Sequence, residues 1–192
     1  MVRIMSTAQR RPMTLDEFPA WERRQELWFE FDRFEPVAVT GGTANPVVIA
    51  DNLVDLLRRS LKSPCRVFRN DLKIVTKEKV RYSDAVVTCS HVLGSADVLP
   101  NPVIVFEVLS HSAASVDRVT KNAEYAATAS IQRYVMLEQV RIGATVFARA
   151  GEKWVGTVLL DDAVLAMPEI GVELRLKDLY ADVELPPPET DD

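Results

Sequence analysis

The run Asn101-Pro102-Val103-Ile104-Val105-Phe106-Glu107-Val108-Leu109-Ser110 sets the tightest constraint on what this chain can fold into. A succession of β-branched and aromatic residues after a proline reads as a strand buried on both faces. Glu107 sits inside that run. A carboxylate there is costly unless it is protonated, paired with a Lys or Arg, or neutralised by a bound cation. A second apolar strand lies upstream, Tyr82-Ser83-Asp84-Ala85-Val86-Val87-Thr88-Cys89, with Asp84 beside its own apolar run.

The rest of the chain supplies the layers around these strands. Thr14-Leu15-Asp16-Glu17 has the form of a capping box and opens a short helix through about Arg24, with Pro19 in or near its first turn. Leu27 to Asp32 alternates as a strand, with Glu30 on the face of Trp28 and Asp32, and Pro36 to Thr40 can return beside it. Asn45-Pro46 supplies a cap and a proline at the start of a helix. From Val47 to Lys62 that helix carries Ile49, Leu53, Leu56, Leu57 and Leu61 on one stripe. Cys65 to Val75 and Arg81 to Cys89 read as strands joined by a turn at Lys77-Glu78-Lys79. After the central strand, an Ala-rich helix is expected from about Ala113 to Thr128, with Asp117, Lys121 and Tyr125 on one face at i, i+4 and i+8. Strands follow at Ile131 to Gln139, Ile142 to Arg149, Lys153 to Leu160 and Val172 to Leu174.

Helices alternating with strands, then a closing series of short strands, imply an α/β fold: a central mixed sheet flanked by helices, with a C-terminal β-meander. At 192 residues and 47% hydrophobic content, one core is expected, in a single domain over residues 13–183. Residues 1–12 form a flexible leader and 184–192 a disordered acidic, proline-rich tail. Nothing near 18 consecutive apolar residues occurs, and the first ten residues lack the apolar region of a signal peptide. A cytoplasmic protein with no membrane partner is expected, and Cys65 and Cys89 are expected as reduced thiols, without metal spacing.

Charge is uneven. Nine basic residues between Arg58 and Arg81 face two acids, Asp71 and Glu78, although the chain as a whole carries −5. Such a stretch is either a solvated face or a phosphate-binding surface, with Arg69, Lys73 and Arg81 as the candidate nucleic-acid contacts. No glycine-rich phosphate loop joins a strand to a helix, and Ser110 lacks a Gly-x-Ser-x-Gly setting, so a nucleotide-binding fold and a serine hydrolase are disfavoured. What remains is Asp84 and Glu107 at strand ends, Glu30 on an early element and Lys121 on the helix after Glu107. Carboxylates converging in this way are oxygen ligands of the kind Mg²⁺ prefers. A nearby lysine can orient the attacking water and stabilise charge on a phosphoryl oxygen. The residues also admit a purely structural network of ion pairs.

Six strings occur in order: Met13 to Glu22, Phe29-Glu30-Phe31, Asp71 to Val75, Arg81-Tyr82-Ser83-Asp84, Val105-Phe106-Glu107-Val108-Leu109-Ser110 and Asp117 to Tyr125. Together they resemble the putative restriction endonuclease (Uma-type) family of the PD-(D/E)XK nuclease superfamily, over about residues 13 to 150. The resemblance implies a restriction-endonuclease-like core, Mg²⁺ dependence with Mn²⁺ able to substitute, a nucleic-acid substrate, DNA before RNA, and a homodimer. It makes Asp84 and Glu107 the metal acids, joined by Glu30 and the backbone carbonyl of Val108. The lysine often found two residues after the second acid is Leu109 here, and Lys121 stands in for it, with Ser110, Asp117 and Tyr125 in support. Ser83 and His111 replace prolines of the pattern, and Arg33-Phe34 replaces an Asp-Gly turn. The expected activity is endonucleolytic hydrolysis of phosphodiesters. The alternative is a lapsed nuclease fold retained for nucleic-acid binding or dimeric interaction.

Overall fold

The computed structural model describes residues 13–33, 35–38, 43–69, 71–109 and 115–187. The capping box forms: the Thr14 N–H donates to the Glu17 carboxylate at 2.9 Å, and the Glu17 N–H to the Thr14 hydroxyl at 3.3 Å. It leads into α1 (Phe18–Glu22), which has proline in its first turn. Strands β1 (Phe29–Asp32) and β2 (Glu35–Ala38) make an antiparallel hairpin. Phe29 and Phe31 pack with Phe18 and Trp21 in a small core of their own, so strand alternation turns Glu30 the other way.

Helix α2 (Ala44–Ser60) buries Ile49, Leu53 and Leu57 completely, with Leu56 and Leu61 partly buried beside them. Its N-cap is Thr43 rather than the expected Asn45. Asn45 lies inside the first turn and donates its side-chain amide to the Glu184 carbonyl at 2.8 Å, tying down the C-terminal segment. The two long strands expected next are each divided. The first becomes β3 (Arg66–Arg69) and β4 (Ile74–Val75), the second β5 (Lys79–Arg81) and β6 (Ala85–Thr88). In both cases the chain crosses from one sheet to another, and Asp84 lies at the second crossing.

The central strand is β7 (Pro102–Val108), followed by α3 (Ser115–Ala127), β8 (Arg133–Leu137), β9 (Gly143–Ala150) and β10 (Lys153–Leu160). A hairpin of β11 (Val164–Met167) and β12 (Val172–Arg175) and a 3-10 helix (Leu176–Tyr180) close the fold; β11 was not expected. The large sheet has the order β10-β9-β8-β7-β6-β3, and a smaller one the order β2-β1-β5-β4. In the large sheet β7 and β8 are parallel, with α3 as their crossover, and the other pairs are antiparallel. The β8-β9-β10 meander agrees with expectation.

Alternation along β7 decides where Glu107 goes. Ile104, Phe106 and Val108 join the core under α2 and the C-terminal hairpin, whereas Val105 joins Tyr125, Ile131 and Tyr134 on the α3 side. Glu107 shares the parity of Val105 and faces α3.

Cys65 and Cys89 are disulfide-bonded, contrary to the expectation of reduced thiols. They lie one step beyond the Arg66↔Thr88 pair of the antiparallel β3–β6 ladder, which sets them opposite each other. The leader and residues 188–192 lie outside the described residues. Within the expected tail, Leu185 packs partly against the core. No helix among the described residues is long and apolar enough to cross a membrane.

Candidate active site

Four elements deliver charge to one place. Glu30 comes from β1, Asp84 from the crossing before β6, Glu107 from the end of β7, and Lys121 from α3. The Lys121 ammonium lies 3.3 Å from one Glu107 carboxylate oxygen and 3.4 Å from Glu30. Asp84 Oδ2 accepts the Val108 N–H at 2.7 Å, which fixes the aspartate one residue beyond Glu107. Tyr125 and Tyr134 donate their hydroxyls to the two oxygens of Glu107, at 3.3 and 3.1 Å. Their rings pack edge to face with centroids 4.8 Å apart, so Glu107 rests on a rigid pair. The sequence-expected residues Glu30, Asp84, Glu107, Lys121 and Tyr125 are thus together. Ser110 and the side chain of Asp117 lie outside the described residues.

The acids divide into two electrostatic groups. Glu30, Asp32 and Glu124 are met by Arg81 and Lys79. Arg81 makes a paired contact to Glu124 at 2.9 Å and another to Glu30 at 3.2 Å, and Lys79 reaches Asp32 and Glu124 at 2.6 Å. Burial opposes the charge on Asp32 and Glu124, but these partners outweigh it and hold both carboxyls below their usual range. Asp84 and Glu107 share Lys121 as their nearby ammonium. Burial pushes both carboxyls up; the Val108 N–H, Lys121 and Arg69 offset this only in part at Asp84, as do Lys121 and the Tyr134 hydroxyl at Glu107, and the charge of Glu30 adds to both rises. Tyr125 is driven far up by its burial and by Glu107.

Two of the expected nucleic-acid contacts lie inside the fold. Arg81 is 2% exposed and held by Glu124 and Glu30, and Lys73, 9% exposed, is paired with Glu22 at 2.8 Å. Both charges are taken up by carboxylates of the chain itself. Arg69 is the expected contact that stays accessible, beside Asp51. The basic stretch is therefore not one surface. Tyr134 and Glu124 were missed. Glu124 lies three residues after Lys121, a helical spacing that could have suggested it. Tyr134 required the parallel register Glu107↔Met136, which places residue 134 on the same face two positions earlier.

The family model described as putative restriction endonuclease, Uma2, matches residues 15–178. The chain belongs to the Uma2 family. Two uncharacterised proteins of Synechocystis sp. are similar to it. The one named slr1290 is 30% identical over 131 residues, spanning 66% of this chain and 69% of that protein. The other, sll1609, is 25% identical over 166 residues, spanning 83% and 94%. A crystal structure from Anabaena variabilis, titled a putative nuclease of DUF820, superposes with a TM-score of 0.72 at 19% identity over 88% of this chain and 98% of that one. At that identity the likeness speaks for the fold. Membership of Uma2 supports a nuclease-like function for this chain.

The donor set of this Uma2 protein suits a hard divalent cation. Among the described residues no three His, Cys, Asp or Glu side chains are grouped closely enough to enclose a metal by themselves. Mg²⁺ does not need such a cage, because it keeps several waters and is commonly held through one or two carboxylates. Asp84 and Glu107, two acids of raised pKa at adjoining strand ends, meet that requirement.

Proposed function

We propose that this chain is a Mg²⁺-dependent nuclease that hydrolyses phosphodiester bonds of nucleic acid, DNA first, with Asp84 and Glu107 as the metal-holding acids. Mn²⁺ would serve in its place. The supporting observation is that Asp84, held by the Val108 N–H, and Glu107, paired with the Lys121 ammonium, meet at adjoining strand ends in a chain of the Uma2 family. The Val108 carbonyl is the backbone candidate for a further oxygen ligand. Glu30 is already engaged by Arg81 and Lys121, which fits it better for positioning Lys121 than for holding the ion.

A bound Mg²⁺ would polarise the phosphoryl group and lower the pKa of a coordinated water. The chain's own residues do the rest. Lys121, positioned by its pairs with Glu30 and Glu107, orients the attacking water and offers its N–H groups to the oxygen on which negative charge develops. Tyr125 and Tyr134 keep the Glu107 carboxylate from turning, and the Val108 N–H does the same for Asp84. Attack by water at phosphorus breaks one ester bond and leaves a phosphomonoester and a free hydroxyl.

The test is titration calorimetry of Mg²⁺ and Mn²⁺ into the protein and into Asp84→Ala and Glu107→Ala, with plasmid nicking assayed on the same samples. Metal binding and metal-dependent nicking should both be lost in each variant. A parent protein that binds no divalent ion at millimolar concentration would leave an ion-pair network on a nuclease fold and end the catalytic reading.

A further inference from the structure

Trp28 stands at the rim of this site and has no structural task that accounts for its exposure. It is 42% exposed, whereas every other described aromatic side chain is buried or half-buried. One face leans on Tyr82, with ring centroids 5.2 Å apart and the planes tilted by 36°. Tyr82 is fixed at both ends: its backbone N–H donates to Glu30 at 3.2 Å and its hydroxyl to Glu22 at 2.8 Å. Trp28 therefore rests on a backing anchored to the acid that touches Lys121.

Position along the chain adds to this. Trp28 lies two residues before Glu30 and Tyr82 two before Asp84, so each aromatic arrives on a segment that also delivers a carboxylate. Two residues of chain span at most about 7 Å between Cα atoms, so each aromatic is attached within a distance that the sugar of one nucleotide can bridge between its base and its phosphate. Around Tyr82 lie Glu22, Glu30 and Asp97, which disfavour a phosphate directly on the ring pair but not a neutral base. Exposed Arg23 and Arg24, five and four residues before Trp28, supply cations for the backbone on the same segment.

We propose that the outer face of Trp28, backed by Tyr82, is a stacking platform for one unpaired nucleobase next to the scissile phosphate. This rests on the hydrolase reading above and deepens it by naming the substrate class. A base in a continuous duplex is stacked on both sides and cannot lie on an indole. The preferred substrate is then a single strand, or a duplex position where a base is unpaired. Every base has a π-face, so the platform does not select sequence.

The experiment is equilibrium binding by fluorescence anisotropy, with Ca²⁺ present, of the full chain to a labelled oligothymidylate single strand and to an abasic oligomer of equal length. The unsubstituted protein should bind the thymidylate strand roughly 5- to 100-fold more tightly, the range that stacking of one base produces. Trp28→Ala should abolish that difference while leaving abasic affinity unchanged, and Trp28→Phe should keep most of it. Equal affinity of the unsubstituted protein for the two oligomers overturns the proposal without reference to any variant, as does a preference that survives in Trp28→Ala. If binding ignores the base while metal-dependent nicking persists, the platform falls and the nuclease reading stands. If neither oligomer binds, the platform falls, and the nuclease reading is decided by the metal titration and plasmid nicking above.

Discussion

Arg81→Met tests whether Arg81 holds the site together or contacts nucleic acid. The side chain is 2% exposed and joins β5 to α3 through Glu124 and to β1 through Glu30. Methionine fills much of the volume but leaves three carboxylates short of a counter-charge. Breaking a buried pair by removing one partner costs about 3–5 kcal/mol. Lys79 still reaches Glu124 and Lys121 still reaches Glu30, so the low end, about 3 kcal/mol, is expected. For a domain of this size that lowers Tm by about 6–12 °C. The assay is urea and thermal unfolding of Arg81→Met, Glu124→Gln and the double variant. The cycle should return a coupling of about 1–3 kcal/mol, because the two side chains are in direct contact. A near-neutral Arg81→Met, with a loss of about one unit in the salt dependence of oligonucleotide binding, would refute the clamp and restore Arg81 as a phosphate contact.

Other outcomes follow from the same geometry. Lys121→Met should lower nicking at least about 100-fold while Mg²⁺ affinity, read by calorimetry, stays level or tightens; loss of metal binding would contradict the division of roles proposed here. Tyr180 has its hydroxyl within 2.8 Å of the Glu138 and Gly143 carbonyls, and burial pushes it up to about 12. Its folded pKa lies above its unfolded one, so the stability it contributes is complete below about pH 10 and is lost between there and about pH 12. Tyr180→Phe should cost about 1–3 kcal/mol at neutral pH and flatten that alkaline limb, as followed by circular dichroism. Reducing the Cys65–Cys89 bond, which spans 24 residues, should cost about 3 kcal/mol. A urea midpoint that does not move with dithiothreitol would show that the bond contributes nothing.

Much of the site could be read from the residues because its signals are local. Glu107 stands out since an apolar strand surrounds it, and Lys121 and Tyr125 because helical spacing puts them on one face. The long-range relations were not visible in the same way. Strand propensity over Cys65 to Val75 does not say that β3 and β4 join different sheets, nor that Asp84 falls where the chain crosses between them. A run of basic residues does not say which of them point inward, so Arg81 and Lys73 passed for surface charges. Tyr134 and the disulfide both depend on strand register, which is set by pairing across the sheet rather than by either strand alone.

The crossover from β7 through α3 to β8 has a consequence for chain-closure entropy. Glu107 meets Lys121, Tyr125 and Tyr134 across 14, 18 and 27 residues, and Asp84 reaches Val108 across 24. Glu30 reaches Lys121 across 91. Closing the longest of these loops instead of the shortest costs about 1.7 kcal/mol more in an otherwise flexible chain. Glu30 is thus the member held against the greatest loss of chain freedom, and the small sheet that carries it has a small core of its own. Under mild denaturation the site should come apart in order, Glu30 leaving Lys121 while the crossover unit still keeps Glu107 between its two tyrosines.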